Sequence, residues 1–452
     1  MTGPYNLNFV AGHRNTCAYG RRLGVEGPGF QIMKILISAF ACAPNVGSEG
    51  GVGWRWAEEW AREHEVVVIT DITRRAAIEA ELAVHPAGNP RFVYFRPWWL
   101  RWMPLNSLTA QVLYQLWQIA LLPFVRRLHA AEAFELAHHV SYGVFRQPSL
   151  IGHAGIPLVF GPVGGGEDAP WRLKQSMGLR EKGQEGLRSL LNRFARFDPL
   201  LRWGIQGAAL VLAKTSATAR ALPAGFAERT AVALEIGTLP REGVVPRMAP
   251  AGRPLRLLYA GRLLGWKGVH LGLAALAAAR ARGVAVEFDV VGGGPYEARL
   301  RRQASRLGLD RYVHWYPAMP QAELFARYRE VDAVLFPSLH DSSGNVVVEA
   351  LSFALPVICL DLGGPAEIVT DASGCVVRTH GLDEQGVIAR MADAIERLAR
   401  DGALYERLSA GALARAGELD WGRQMARIKA LALGCVLSVR IGDADAAAAS
   451  SE

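Results

Sequence analysis

The sequence predicts two α/β domains, each built on a doubly wound parallel sheet, facing each other across a cleft. Two observations carry this. Short apolar runs at 35–39, 66–70, 92–95, 136–140, 158–160 and 210–213 alternate with helix-like segments, the pattern of a parallel sheet covered on both faces. A second series follows at 256–260, 287–291, 312–315, 333–336, 357–359 and 374–377, after a stretch over 237–254 that is rich in Pro and Gly and lacks periodicity. Each series is long enough for one Rossmann-like unit. The expected boundaries are an extension at 1–32, a first domain at 33–240, a linker at 241–253 and a second domain at 254–418. A final helix at 419–435, capped by Asp420 and packing back towards the first domain, precedes a tail at 436–452.

Composition narrows the functional classes. With 452 residues, 50% apolar and 20% charged, the chain has ample length for two cores without staples. Its five cysteines are odd in number and widely spaced, with no C-x-x-C, which argues against a disulfide framework or zinc site and for a reducing compartment. The formal charge of +8 invites an anionic partner, yet only six of the 50 basic residues are lysines and the 44 arginines are scattered. No basic block, RNP-type aromatic motif or zinc-finger spacing points to nucleic acid. Residues 1–32 hold no apolar run of signal-peptide length, so Met33 reads as a natural start and the leader as a disordered extension. The Asp443-Ala444-Asp445 triplet lies in the Ala/Ser-rich tail, where no metal site is expected.

The 24 residues between Arg101 and Arg126 carry no formal charge, a length that raises a membrane span. Pro104, Asn106, Ser107 and Thr109 break its start, and Gln111, Gln115 and Gln118 form a polar stripe, so the helix is amphipathic rather than lipid-embedded. Arg96-Pro97-Trp98-Trp99-Leu100-Arg101-Trp102 precedes it and Arg126-Arg127 follows. Two readings stand: an interfacial contact with an anionic membrane, or a core helix with its aromatics inside the first domain.

Chemistry concentrates at strand ends. Gly261-Arg262-Leu263-Leu264-Gly265-Trp266-Lys267-Gly268 offers a glycine loop with two cations, suited to phosphate as well as to plain surface exposure. Gly292-Gly293-Gly294 follows the next strand, but a dinucleotide fingerprint fails because Glu297 stands where glycine is needed. The densest signal is 336–350, where Asp341 and Glu349 lie eight positions apart around Ser343-Gly344-Asn345-Val346, followed by Gly363-Gly364-Pro365-Ala366-Glu367. Such a loop presents backbone amides to a diphosphate, with carboxylates to accept hydrogen bonds from sugar hydroxyls and a ribose diol.

In these motifs the second domain resembles the nucleotide-sugar-binding domain of family 4 (group 1) retaining glycosyltransferases, which have the GT-B fold. The resemblance extends over roughly 33–433 and is most specific over 260–369. It implies that the E-x7-E donor motif reads here as Asp341 and Glu349, its first carboxylate one methylene short, and that Arg262 and Lys267 hold the diphosphate. Gly261, Gly292, Gly294, Ser343, Gly344, Asn345 and Val346 would line the donor. In the first domain, Gly47-Ser48-Glu49 resembles the glycine loop lying against donor phosphate and acceptor, and Ser48 also suits a helix N-cap. Glu167, after Gly164-Gly165-Gly166, is expected at the substrate. Of His138-His139, His139 is favoured as the catalytic histidine and His138 as a substrate contact, with strand alternation sending them to opposite faces.

The implied function is metal-independent, retaining transfer of a hexosyl group from a nucleoside diphosphate sugar, a co-substrate rather than a cofactor, to a glycan or lipid-linked acceptor in polysaccharide or envelope glycan synthesis. The expected location is cytoplasmic, peripheral on the membrane's inner face. The rivals are a catalytically weak sugar-nucleotide-binding subunit, motivated by Asp341, and another GT-B enzyme such as a phosphorylase or epimerase.

Overall fold

A computed structural model describes residues 32–46, 48–86, 88–106, 109–239 and 241–449. In the first domain, β1 (Lys34–Ala39), β2 (Glu65–Asp71), β3 (Arg91–Phe95), β4 (Leu136–Ser141), β5 (Leu158–Val163), β6 (Ala208–Ala213) and β7 (Thr230–Val232) form one sheet in the order β3-β2-β1-β4-β5-β6-β7. Every ladder is parallel. The central strands are buried along nearly their whole length because helices cover both faces. One face packs on Leu113, Tyr114, Trp117 and Leu121 of helix Ala110–Glu132, the other on Trp56 and Trp60 of helix Ser48–Ala61.

The second domain repeats the plan with β8 (Leu255–Ala260), β9 (Val286–Val291), β10 (Val313–Tyr316), β11 (Ala333–Phe336), β12 (Val357–Leu360) and β13 (Gly374–Val377), ordered β10-β9-β8-β11-β12-β13. In both sheets the order reverses beside the first strand of the domain. The carboxyl edge at such a switch point is where open α/β sheets leave a crevice.

Two chain crossings lie side by side between the domains. Thr238 N–H donates to Leu419 O at 2.8 Å and Trp421 N–H to Thr238 O at 2.9 Å. Gly237 permits this approach, since a Cβ there would sit 2.8 Å from Trp421 Cα. The segment after it is strapped down rather than free: Arg247 donates to the carbonyls of Phe353, Val331 and Tyr328. The last helix, Trp421–Ala449, returns to the first domain, where the Trp421 indole donates to Glu59 Oε1 at 3.1 Å and Lys429 Nζ to Glu59 O at 2.8 Å. Asp420 Oδ1 accepts from Arg423 N–H, which caps its start.

Three expectations need correction. The tail from 436 is helical as far as Ala449, in keeping with the helix propensity of its alanines. The glutamine stripe of helix Ala110–Glu132 does not stay outside: Gln111 is exposed, but Gln118 is buried with its Nε2 donating to Tyr114 Oη at 3.0 Å. Arg96 is no membrane-flanking cation. It is buried and grips Asp71 with two bonds of 2.8 and 2.7 Å, joining β2 to the segment after β3. Arg96→Ala leaves that carboxylate buried and unpaired and should cost about 3–5 kcal/mol in urea unfolding, whereas exposed Arg101→Ala should fall within about 0.5 kcal/mol of the parent.

Candidate functional site

The carboxyl edges of the two sheets face each other, and the sequence motifs gather there. After β8, turn Gly265–Lys267 carries Lys267, whose ammonium lies 4.5 Å from the Trp266 ring and 5.3 Å from the Phe336 ring. After β11, Asp341 reaches the same ammonium and pairs with it, so two residues 74 positions apart meet at the switch point between β8 and β11. Both are mostly shielded, with 14% and 17% of their side chains exposed. Arg262, in the same loop after β8, is exposed.

Gly344, at φ +146°, leads into helix Asn345–Ser352, whose first turn, with Asn345 and Val346, leaves backbone N–H groups without intrahelical acceptors. The loop beneath is clamped: Gly364 N–H donates to Asp341 O at 2.6 Å, and a Cβ on Gly364 would lie 2.0 Å from Ser343 O. Gly261, Gly292 and Gly294 serve packing at the neighbouring strand ends, where Gly261 N–H meets Val291 O and Leu263 N–H meets Gly293 O, each at 3.0 Å. Glu349, one turn into the helix, accepts from Gln321 Nε2 at 2.7 Å and Tyr328 Oη at 3.2 Å. Burial raises its carboxyl above the usual range, opposed by those two bonds and by the charge of Arg241.

On the first domain's edge, Gly47 lies outside the described residues. Ser48 opens helix Ser48–Ala61, and Glu49 in its first turn accepts from Gly143 N–H at 3.2 Å. Glu167 does not reach for substrate. It is buried, its Oε1 accepting from the hydroxyls of Thr215 and Thr218 at 2.7 Å and its Oε2 from Gly165 N–H at 2.9 Å. The two histidines do occupy opposite faces of β4, but both are fully buried and engaged by protein groups. His138 accepts from the Trp60 indole at 3.0 Å and donates from Nε2 to Gly161 O at 2.7 Å. His139 lies 3.0 Å from Tyr114 Oη and 3.2 Å from Ser38 Oγ. With its ring walled in, His139 cannot meet a reacting atom in this arrangement.

Other polar groups tie the domains across the cleft. Helix Leu179–Ala195 spans it: Arg188 donates to His340 Nδ1 at 2.7 Å and to the carbonyls of Gly165 and Glu167, while His340 donates from Nε2 to Glu185 Oε1 at 2.9 Å. The Trp266 ring stacks on His340 at 4.4 Å. Deeper in, Lys214 pairs with Glu235 at 2.8 Å, and Glu235 also accepts from Ser343 of the second domain's loop. Burial opposes the charge of Lys214, but Glu235, Glu49 and Glu167 outweigh it and raise its pKa. None of these struts was assigned from sequence. Lysine's scarcity is the signal that could have found Lys214, since Lys174, Lys214 and Lys429 are all buried and paired.

Among the described residues no group of His, Cys, Asp and Glu is arranged to hold a metal ion, and no helix is long and apolar enough to cross a membrane.

Two parallel sheets of one topology, with a lysine–carboxylate pair and a glycine-led helix start at the facing edges, define a chain of GT-B fold. Residues 247–415, most of the second domain, match the family model for glycosyl transferases group 1. The chain is 37% identical over 136 residues to the D-inositol 3-phosphate glycosyltransferase of Frankia alni, covering 28% of this chain and 32% of that protein. It is 31% identical over 204 residues to the protein of that name from Nocardia farcinica, covering 43% and 41%. The matches thus span well under half the length of these curated relatives. Among solved structures, Anabaena Alr3699/HepE in complex with UDP and glucose superposes with a TM-score of 0.54 at 20% identity, covering 88% of this chain and 98% of that one.

Proposed function

We propose that this protein is a retaining glycosyltransferase that moves a hexosyl group from a nucleoside diphosphate sugar to a hydroxyl of a glycan or lipid-linked acceptor, in polysaccharide or envelope glycan synthesis at the cytoplasmic face of a membrane. The observation that carries this is the meeting of Lys267 and Asp341 at the switch point of a group 1 glycosyltransferase domain, beside the start of helix Asn345–Ser352. The diphosphate would take Lys267, Arg262 and the first-turn amides; Asp341 would turn to the sugar hydroxyls and Glu349 to the ribose.

In the reaction the anomeric carbon's bond to the diphosphate oxygen breaks, and the acceptor oxygen bonds to that carbon on the same face. The acceptor's proton passes to the departing diphosphate. This chain's residues act electrostatically: the ammonium, the guanidinium and the amides stabilise charge that grows on the leaving group, each donor worth about 2–4 kcal/mol in the transition state. Buried His139 needs no part in it.

Thermal-shift screening with UDP-, GDP- and ADP-sugars identifies the donor, and the stabilising sugar nucleotide is then incubated with and without acceptor. Free nucleoside diphosphate should appear only with acceptor, and the product should keep the donor's anomeric configuration. Glu349→Ala should remove the calorimetric binding signal. Nucleotide release independent of acceptor, or sugar phosphate formed from inorganic phosphate, would reject the transferase reading.

A further inference from the structure

Helix Leu179–Ala195 has its polar side inward. Its buried positions are Glu185, Asn192 and Ala195, with Glu185 on His340 and Asn192 Nδ2 donating to Gly165 O at 2.9 Å. Leu187, Leu190, Leu191 and Phe194, spaced i, i+3, i+4 and i+7, form the stripe that ordinarily faces a core. Here they are 58%, 51%, 49% and 58% exposed. Phe197, Leu200 and Trp203 continue the exposed apolar run into helix Pro199–Gln206. Seven large apolar side chains on two consecutive helices and the turn between them exceed the scattered exposure usual on a water-facing surface.

Positive charge predominates around them. Arg193, Arg196 and Arg202 are exposed among these side chains, and Arg193, Arg196 and Arg220 line a groove of about 980 Å³ between helix Leu179–Ala195 and residues 219–230. Of the nearby acids, Asp168 pairs with Lys174, and Asp198 caps helix Pro199–Gln206 by accepting from Leu200 and Leu201 N–H; the exposed arginines outnumber them. A second copy of this chain packed here about a two-fold axis would set arginines against arginines.

We propose that this face, 187–203 with Arg220, docks on an anionic lipid bilayer, its Leu, Phe and Trp side chains entering the headgroup boundary and its arginines meeting lipid phosphates. The face is the side of helix Leu179–Ala195 opposite its contacts with His340 and Gly165, and the proposal stands whether or not the transferase reading holds. It also moves the lipid contact off the Trp98–Trp102 segment, although helix Ala110–Glu132 and helix Pro199–Gln206 cover the same face of the first sheet, Trp117 and Leu201 sharing one core cluster.

The test is flotation of the full chain with vesicles of equal parts phosphatidylglycerol and phosphatidylcholine, and with phosphatidylcholine alone. The protein should float with the anionic vesicles at low salt, not with the neutral ones, and be released by high salt. Phe194→Glu with Phe197→Glu, and separately Arg193→Glu with Arg196→Glu, should weaken partitioning about tenfold or more. Trp98→Ser with Trp102→Ser should leave it within about twofold of the parent. The altered side chains are exposed, and circular dichroism melts should match the parent. Absence of flotation overturns the proposal, as does flotation unchanged in the Phe194/Phe197 variant or lost only in the Trp98/Trp102 variant. So does a dimer in light scattering that Phe194→Glu with Phe197→Glu converts to monomer, which would give this face to a second copy.

Discussion

Between pH 7.5 and pH 5 the first domain should lose about 4 kcal/mol of stability, because His138 and His139 are buried and neutral. Burial pushes His138 down to about 4 and His139 to about 3, against an ordinary value of 6.5. Below pH 6.5 the unfolded chain therefore takes up a proton at each of these two histidines that the folded chain refuses. The unfolded state binds more protons, so stability rises with pH, and the loss on acidification runs from 6.5 towards the folded values of about 4 and 3. At pH 5 each histidine has lost about 2 kcal/mol, and carboxylates with ordinary values have barely begun to titrate. Against a total of about 5–15 kcal/mol this is a large fraction. Trp56 and Trp60 pack around His138, so tryptophan fluorescence during urea unfolding reports the right region. The midpoint should fall steeply between the two pH values, and His138→Gln with His139→Gln should make the dependence shallower, leaving the share of His64 and His270, whose pKa values burial also lowers. Equal parent midpoints at pH 7.5 and 5 would show that the rings are not held neutral.

The same pair shows what sequence carries and where it stops. Twelve of the thirteen strands among the described residues were legible because a parallel strand covered on both faces reads as a short, mostly apolar run. The missed β7 is a three-residue, half-buried strand at the sheet edge, too short to pattern. Alternation along β4 placed the two histidines on opposite faces correctly. Their complete burial was not legible, since it depends on Trp56, Trp60, Tyr114 and Phe160 arriving from other elements. Glu167 was misread for a similar reason. A carboxylate after a glycine turn resembles a substrate ligand until Thr215 and Thr218, about fifty residues on, are seen to claim it.

That the loops of Lys267 and Asp341 would come together was legible because each follows a strand of the same sheet, and strand order brings both loops to one edge. Their mutual pairing was not. The leucine stripe of helix Leu179–Ala195 shows the converse. Its period alone would place it in a core, and only the polar struts to His340 and Gly165 reveal that the other side of the helix is the one held.

That mutual pairing makes the lysine's role separable from that of the carboxylate. Lys267→Ala should lower turnover by about 10²–10³, the effect expected when one donor to a developing oxyanion is removed. Its melting temperature should change little, because Asp341 is partly open to water and can recover solvation once the ammonium is gone. Asp341→Asn should act in two directions. In the pair, a diphosphate must compete with the carboxylate for the ammonium, so the neutral amide frees Lys267 and should tighten binding of the free nucleoside diphosphate by a few fold. The sugar nucleotide should gain less or lose affinity, since the hydroxyls lose their charged acceptor, worth about 1.5–3 kcal/mol as a hydrogen bond to a charged group. Calorimetry with the nucleoside diphosphate and its sugar, on both variants, reads the difference directly. If Asp341→Asn weakens both ligands equally, or Lys267→Ala turns over at the parent rate, the ammonium is not the diphosphate's partner and the pair is only a brace between the β8 and β11 loops.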